Sequence, residues 1–225
     1  GTPQSAMADF LSSVINPQMG GLEHSPVFVE QQVVKWFAEL MRFPKTASGI
    51  LISGGTMANV LGLAVARRQR AGWDVRKLGV AGGPPLRVYA SGEVHSWLAK
   101  SCEFLGMGND AFRRVSARED FTVDVAAMAK MIAEDRAAGY QPFCIVATVG
   151  TVQTGASDDL NALADLAARE NLWLHVDGAF GAMAALAQAP EAQAAVRGLE
   201  RVDSIAFDLH KWGYMPFDVA MLITK

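Results

Sequence analysis

Lys211 sits in Asp208-Leu-His-Lys211-Trp212, with Phe207, Leu209, Trp212 and Tyr214 around it in the chain. These neighbours make a poor setting for a solvent-loving ammonium. Desolvation lowers a lysine's pKa and frees the amine to attack a carbonyl. Upstream, His175-Val-Asp177-Gly-Ala179-Phe-Gly reads as a buried strand and its exit. Alternate strand residues point the same way, so His175, Asp177 and Ala179 share a face while the strand lasts. A buried aspartate needs a cationic partner or several donors. An amine that can condense with an aldehyde, and an anion that can keep a ring nitrogen protonated, are what pyridoxal phosphate requires.

Other residues fit that chemistry less specifically. Ser53-Gly-Gly-Thr56 joins a strand to a helix. Its glycines let backbone N–H groups approach an anion, and the helix N-terminus favours negative charge. Thr56 is placed to cap that helix or to bond a phosphate oxygen. His95, after a strand and at the start of a helix, offers either a flat ring to stack on a pyridine or a capping side chain. Thr148 ends a buried strand at the same sheet edge. Ala179 offers a flat surface under a ring, or plain packing. Two roles are open to His175: a hydrogen bond to Asp177 from behind, or a satisfied core histidine. Asp208 and His210 flank the lysine and either reach the cofactor or order the turn. His24 and the tryptophans carry no decisive signal.

The elements that must position these groups alternate along the chain. Residues 1–48 read as a helical segment, with Val29, Val33, Phe37 and Leu40 near one stripe of a helix over 27–41. Strands are predicted at 49–53, 86–90, 112–116, 143–148, 172–177, 204–207 and 219–224. Helices are predicted at 58–70 (apolar side Val60, Leu61, Ala64, Val65), from about Ser96, at 124–138 and at 159–170. The Ala-rich stretch 179–196 also reads as helical. Buried strands alternating with such helices imply an α/β fold: a mainly parallel sheet covered on both faces. Ligands bind such sheets at the carboxyl ends of the strands, where Asp177 falls.

Composition narrows the classes. At 225 residues, 51% hydrophobic and 19% charged, the chain can bury a real core. A net charge of −3 without a Lys/Arg run gives no nucleic-acid surface. Cys102 and Cys144 are the two cysteines, in no metal spacing; no metal is expected, and the pair fits a reducing, cytoplasmic compartment. No apolar run reaches the roughly 20 residues of a membrane span, and no signal peptide is visible. The chain lacks an initiating Met and stops at Ile223-Thr-Lys225 just after a strand-like run, which reads as a fragment.

Together the motifs resemble the group II pyridoxal-phosphate-dependent amino-acid decarboxylases, which include the aromatic-amino-acid, histidine and glutamate decarboxylases. The resemblance runs from about Leu11 to the last residue. Five blocks occur in the family's order: Asn16-Pro to Ser25-Pro26, Ser53-Gly-Gly-Thr-Met-Ala-Asn59, His95-Ser96, His175-Val-Asp177 and Asp208-Leu-His-Lys211-Trp212. The resemblance implies the large domain of fold type I at 49–225, an α/β/α sandwich, with 1–48 packing on it as an N-terminal helical segment. It implies that Lys211 carries pyridoxal 5'-phosphate as an aldimine and that Asp177 pairs with the pyridine nitrogen. His95 then stacks on one ring face and Ala179 lies against the other. Gly55 and Thr56, helped by Asp208, hold the phosphate, with Thr148 and His210 beside the cofactor. The expected reaction converts an L-amino acid to its amine and CO2. The expected assembly is a homodimer with an active site shared across its interface.

The family's mobile catalytic loop and small C-terminal domain lie beyond this chain, so it is expected to hold the cofactor half of a site. Three readings stay open: a decarboxylase, another lyase or aminotransferase-like enzyme on the same cradle, or a cofactor-binding fragment without turnover. Leu22, Glu23 and His24 fall where the family places some pocket residues.

Overall fold

The computed structural model describes residues 1–18, 20 and 23–225. In chain order the elements are α1 (Pro3–Ile15), α2 (Ser25–Leu40), β1 (Ser48–Ile52), α3 (Gly54–Arg70), α4 (Val75–Leu78), β2 (Leu86–Ser91), α5 (Trp97–Phe104), β3 (Phe112–Val115), α6 (Val125–Ala137), β4 (Gln141–Thr148), α7 (Leu160–Glu170), β5 (Trp173–Asp177), α8 (Pro190–Ala195), β6 (Ser204–Asp208) and β7 (Ala220–Thr224). The strands form one seven-stranded sheet ordered β1-β7-β6-β5-β4-β2-β3. Strand β7 runs antiparallel to both β1 and β6, and the remaining pairs are parallel.

Side-chain alternation splits the core into two layers. Cys144 and Val146 of β4 meet Leu63 and Ala66 of α3 and Trp97 and Leu98 of α5 on one face. Ile145 and Ala147 point the other way, toward Val34 of α2, Ile132 of α6 and Leu163 of α7. The α/β/α sandwich expected from the alternating pattern is therefore the observed fold. Strands β2, β4, β5 and β6 end at the same edge, where Ser91, Thr148, Asp177 and Asp208 terminate them.

Three expectations about faces and lengths are corrected. On α2, Val29 and Leu40 are exposed, while Val34 and Ala38 are buried. The helix docks one residue further round because Gly49 of β1 leaves room for Val34. Helix α3 begins at Gly54, not Ala58. Its core face includes Gly55, Asn59, Gly62, Leu63 and Ala66, while Leu61, Ala64 and Val65 are only half-buried. Hydropathy does not select Asn and Gly for a core; Asn59 is tolerated because its amide is fully bonded. Finally, 179–196 is not one helix. A 3-10 turn at Ala182–Leu186 is separated from α8, whose first residue, Pro190, cannot continue a preceding helix.

Gly62 marks the closest approach of α3 to the sheet, since a Cβ there would strike the His175 imidazole. Gly62→Ala is expected to destabilise the fold by about 1–3 kcal/mol even though alanine is the better helix former. Urea unfolding checks this, and an unchanged midpoint would show that the imidazole can move aside.

Candidate active site

The strand ends, the first turn of α3 and the turn after β6 enclose a cleft of about 300 Å³. Every residue expected at the site lines it: Gly55, Thr56, His95, Thr148, Asp177, Ala179, Asp208, His210 and Lys211. Glu23 and His24 do not, and Leu22 lies outside the described residues, as do Met19 and Gly21 of the first sequence block.

Asp177 closes β5, pairs in register with Thr148 of β4, and is buried. Its Oδ1 accepts from the Ala179 N–H at 3.1 Å, and its Oδ2 accepts from the indole N–H of Trp97 at 2.6 Å. Burial pushes its carboxyl upward, while the Ala179 and Trp97 donors, Asn59 and the Lys211 charge pull it back toward ionisation.

His175 shares that face but does not bond Asp177; its two nitrogens are used elsewhere. Trp173 Nε1–H donates to Ser204 Oγ at 2.8 Å, which leaves the Ser204 hydroxyl proton for His175 Nδ1 at 2.7 Å. His175 Nε2–H then donates to Asn59 Oδ1 at 2.9 Å, and Asn59 Nδ2 donates to the Gly55 carbonyl at 2.8 Å. Of the two roles open to it, His175 takes that of the satisfied core histidine. It braces the first turn of α3 through Asn59. The chain of donors is complete only with a neutral ring, and burial pushes its pKa down to about 3.

That shift carries a sign. The unfolded chain takes up a proton near the ordinary histidine value of 6.5 and the folded chain does not until about pH 3. His175 therefore adds stability above pH 6.5 that is lost as the pH falls through that interval. Between pH 7 and pH 5 the loss is about 2 kcal/mol. The raised carboxyls of Asp177 and Asp158 act oppositely: folding penalises them at neutral pH, and protonation relieves the penalty. Comparing His175→Gln with the parent by urea unfolding at both pH values isolates the histidine. An equal pH dependence in both proteins would contradict the assignment.

Lys211 Nζ lies 2.8 Å from Asp208 Oδ2, and its side chain is 35% exposed. The apolar enclosure expected from its sequence neighbours is not formed. Trp212 and Tyr214 are exposed, and Trp212 packs against Phe180 with ring centroids 5.1 Å apart. The chain turns sharply after β6, which sends these rings outward while the lysine turns back to the cleft. Asp208 is buried, and its Oδ1 has no hydrogen-bond partner among the described residues, with His210 Nδ1 3.8 Å away. A Cβ at Gly55 would come within 2.8 Å of both Asp208 oxygens, so only glycine fits there.

Gly54, at φ +68°, opens α3 in the left-handed region that glycine favours. The N-cap is Ser53, not Thr56, and its hydroxyl donates instead to Asp218 Oδ2 at 3.0 Å. Thr56 is exposed in the first turn, facing the cleft. His95 is exposed, and its Nδ1 accepts from the backbone N–H of Trp97 at 3.2 Å. The His210 ring stacks edge-on against Phe217 at 4.8 Å. Sequence reasoning missed Asn59, Trp97 and Asp218. Asn59 lies one turn past Gly55 and Trp97 two residues past His95, but neither spacing by itself marks a buried donor.

The profile of a family described as the pyridoxal-dependent decarboxylase conserved domain matches residues 2–225. An aromatic-L-amino-acid decarboxylase of Bacillus atrophaeus is 35% identical over 97% of this chain and 44% of its own length. An L-2,4-diaminobutyrate decarboxylase of Rhizobium meliloti (strain 1021) is 34% identical over 97% of this chain and 42% of its own. The crystal structure of mouse CSAD superposes with a TM-score of 0.93 at 30% identity, covering 100% of this chain and 46% of that one. The chain thus spans less than half the length of these relatives.

Proposed function

The chain belongs to the pyridoxal-dependent decarboxylase family, whose cofactor is pyridoxal phosphate, and from that premise we propose that it is the cofactor-binding half of a carboxy-lyase converting an L-amino acid to its amine and CO2. One observation carries the proposal: the Lys211 amine, the buried Asp177 carboxylate and the glycine turn opening α3 face a single cleft.

The residues fit the cofactor. Asp177 is a buried carboxyl with a donor facing each oxygen and lone pairs to spare. The first turn of α3 offers the backbone N–H groups of Gly54, Gly55 and Thr56 to a phosphate. Asp208 Oδ1 is a buried acceptor without a hydrogen-bond partner among the described residues, as suits a site completed by a polar guest.

When bound, the cofactor's protonated ring accepts the electron pair released as CO2 leaves the carbon beside the substrate amine. Asp177 would pair with the ring nitrogen and keep it protonated. His95 and Ala179, which both line the cleft, would hold the ring between them. Lys211 supplies the amine for covalent attachment and is held in place by Asp208. A carboxylate has no proton to donate to a phosphate oxygen, so Asp208 supports the site through Lys211 and not by a direct phosphate bond. Thr148 and His210 wall the cleft, and Val152, Phe180 and Phe217 add apolar surface that limits water at its mouth.

The whole enzyme is a homodimer with an active site shared between subunits, in this reading. Helix α1 has no buried residue and exposes Met7, Phe10, Leu11, Val14 and Ile15 along one stripe. Such a stripe fits an interface better than solvent. Residues 1–48 are the helical segment that packs on the cofactor domain, 49–225, with α2 docked on the sheet and the stripe of α1 offered to the partner. No helix among the described residues is long and apolar enough to cross a membrane. The two buried free thiols suit the cytoplasm.

Product analysis tests the activity. Aromatic, acidic and basic L-amino acids are offered to the cofactor-loaded protein, and CO2 and amine are measured. Stoichiometric amine and CO2 support a decarboxylase, whereas a keto acid or aldehyde in place of the amine would assign another reaction to the same cleft.

A further inference from the structure

We propose that Trp97 is a positioning residue that holds both cofactor-facing groups, Asp177 through its indole N–H and His95 through its backbone N–H; this rests on the reading that the cleft binds pyridoxal phosphate. The indole donates to Asp177 Oδ2 at 2.6 Å, and the backbone N–H donates to His95 Nδ1 at 3.2 Å. An indole N–H can only donate. It therefore favours a bare carboxylate oxygen over a protonated one. The Ala179 N–H, also donor-only, faces the other oxygen at 3.1 Å. With both oxygens facing donors, a proton on either loses a hydrogen bond, and Asp177 stays available as an anion to the ring nitrogen.

The other groups acting on Asp177 are few. Asn59 approaches from α3, and the Lys211 charge acts from the turn after β6. His175, two residues earlier on β5, is neutral and bonded to Asn59 and Ser204. Trp97 is thus the side-chain donor on the carboxylate that comes from outside the α3 and β6 elements. Its backbone N–H occupies His95 Nδ1, so one residue orients groups on two sides of the cleft. The ring is itself buried, edge-on to His175 at 6.1 Å, and cannot swing away without opening the core.

The test separates hydrogen bonding from packing. Trp97→Phe and a variant carrying 3-benzothienylalanine at position 97, a tryptophan isostere without the N–H, are titrated with pyridoxal phosphate from pH 6 to pH 9. Removing the donor raises the Asp177 pKa further, so the defect is largest at low pH and narrows as the carboxyl ionises. Affinity at pH 6 is expected to fall roughly ten- to hundredfold, with little further loss when the change is made in an Asp177→Asn background. If Trp97→Phe unfolds, the isostere decides. Unchanged affinity in the isostere, or a defect equal at every pH and equal in the Asp177→Asn background, overturns the proposal. No binding by the unaltered protein overturns the reading of the cleft, and this inference with it.

Discussion

Replacing Lys211 with alanine is expected to eliminate covalent cofactor attachment and to lower amine formation by on the order of a thousandfold or more. Among the described residues lining the cleft, no other side chain carries a primary amine. Lys211 also forms the ion pair with Asp208, so its loss leaves that buried carboxylate with no side-chain hydrogen bond and only the His210 ring nitrogen near it, 3.8 Å from Oδ1. A penalty of about 1–3 kcal/mol for the exposed deficit is expected in unfolding experiments. The fold should survive, because Lys211 lies at the surface end of the cleft and contributes nothing to either core layer. The visible absorption that covalent attachment to Lys211 gives the bound cofactor should vanish while circular dichroism stays unchanged. A retained band would place the attachment elsewhere.

Asp177→Asn should be nearly as damaging, with turnover reduced about 10²–10³-fold. The substitution keeps size and shape but removes the charge that holds a proton on the ring. It also breaks the local accounting of hydrogen bonds. The carboxylate accepts from Trp97 on one oxygen and from Ala179 on the other. An asparagine has one carbonyl oxygen, so its NH2 must face one of these donor-only groups. Cofactor affinity is expected to fall along with turnover. Retained turnover with the same pH profile would remove Asp177 from the mechanism.

Much of this site is legible in the chain because the chemistry sits where strands end. Asp177, Thr148 and Asp208 each terminate an apolar run, and the sandwich brings those ends to one edge. What could not be read is what crosses between elements. Trp97 reaches a carboxylate 80 positions away, and Asn59 reaches an imidazole 116 positions away. No local pattern distinguishes a buried donor from an ordinary tryptophan, or a bonded asparagine from a surface one. The surroundings of Lys211 were misleading for a related reason. Phe207 is buried in the core, but Trp212 and Tyr214 turn outward after the strand, so proximity in sequence did not become enclosure in space. On α2, the residue that decides which face docks is Gly49, on a different element.

The most direct test of the central claim is to find where the cofactor is attached. Protein loaded with pyridoxal phosphate is reduced with borohydride, digested, and mapped by mass spectrometry. The account requires the added mass on the peptide that contains Lys211. Attachment to another lysine, such as Lys100 outside the cleft, or no adduct on protein that is folded, would contradict it.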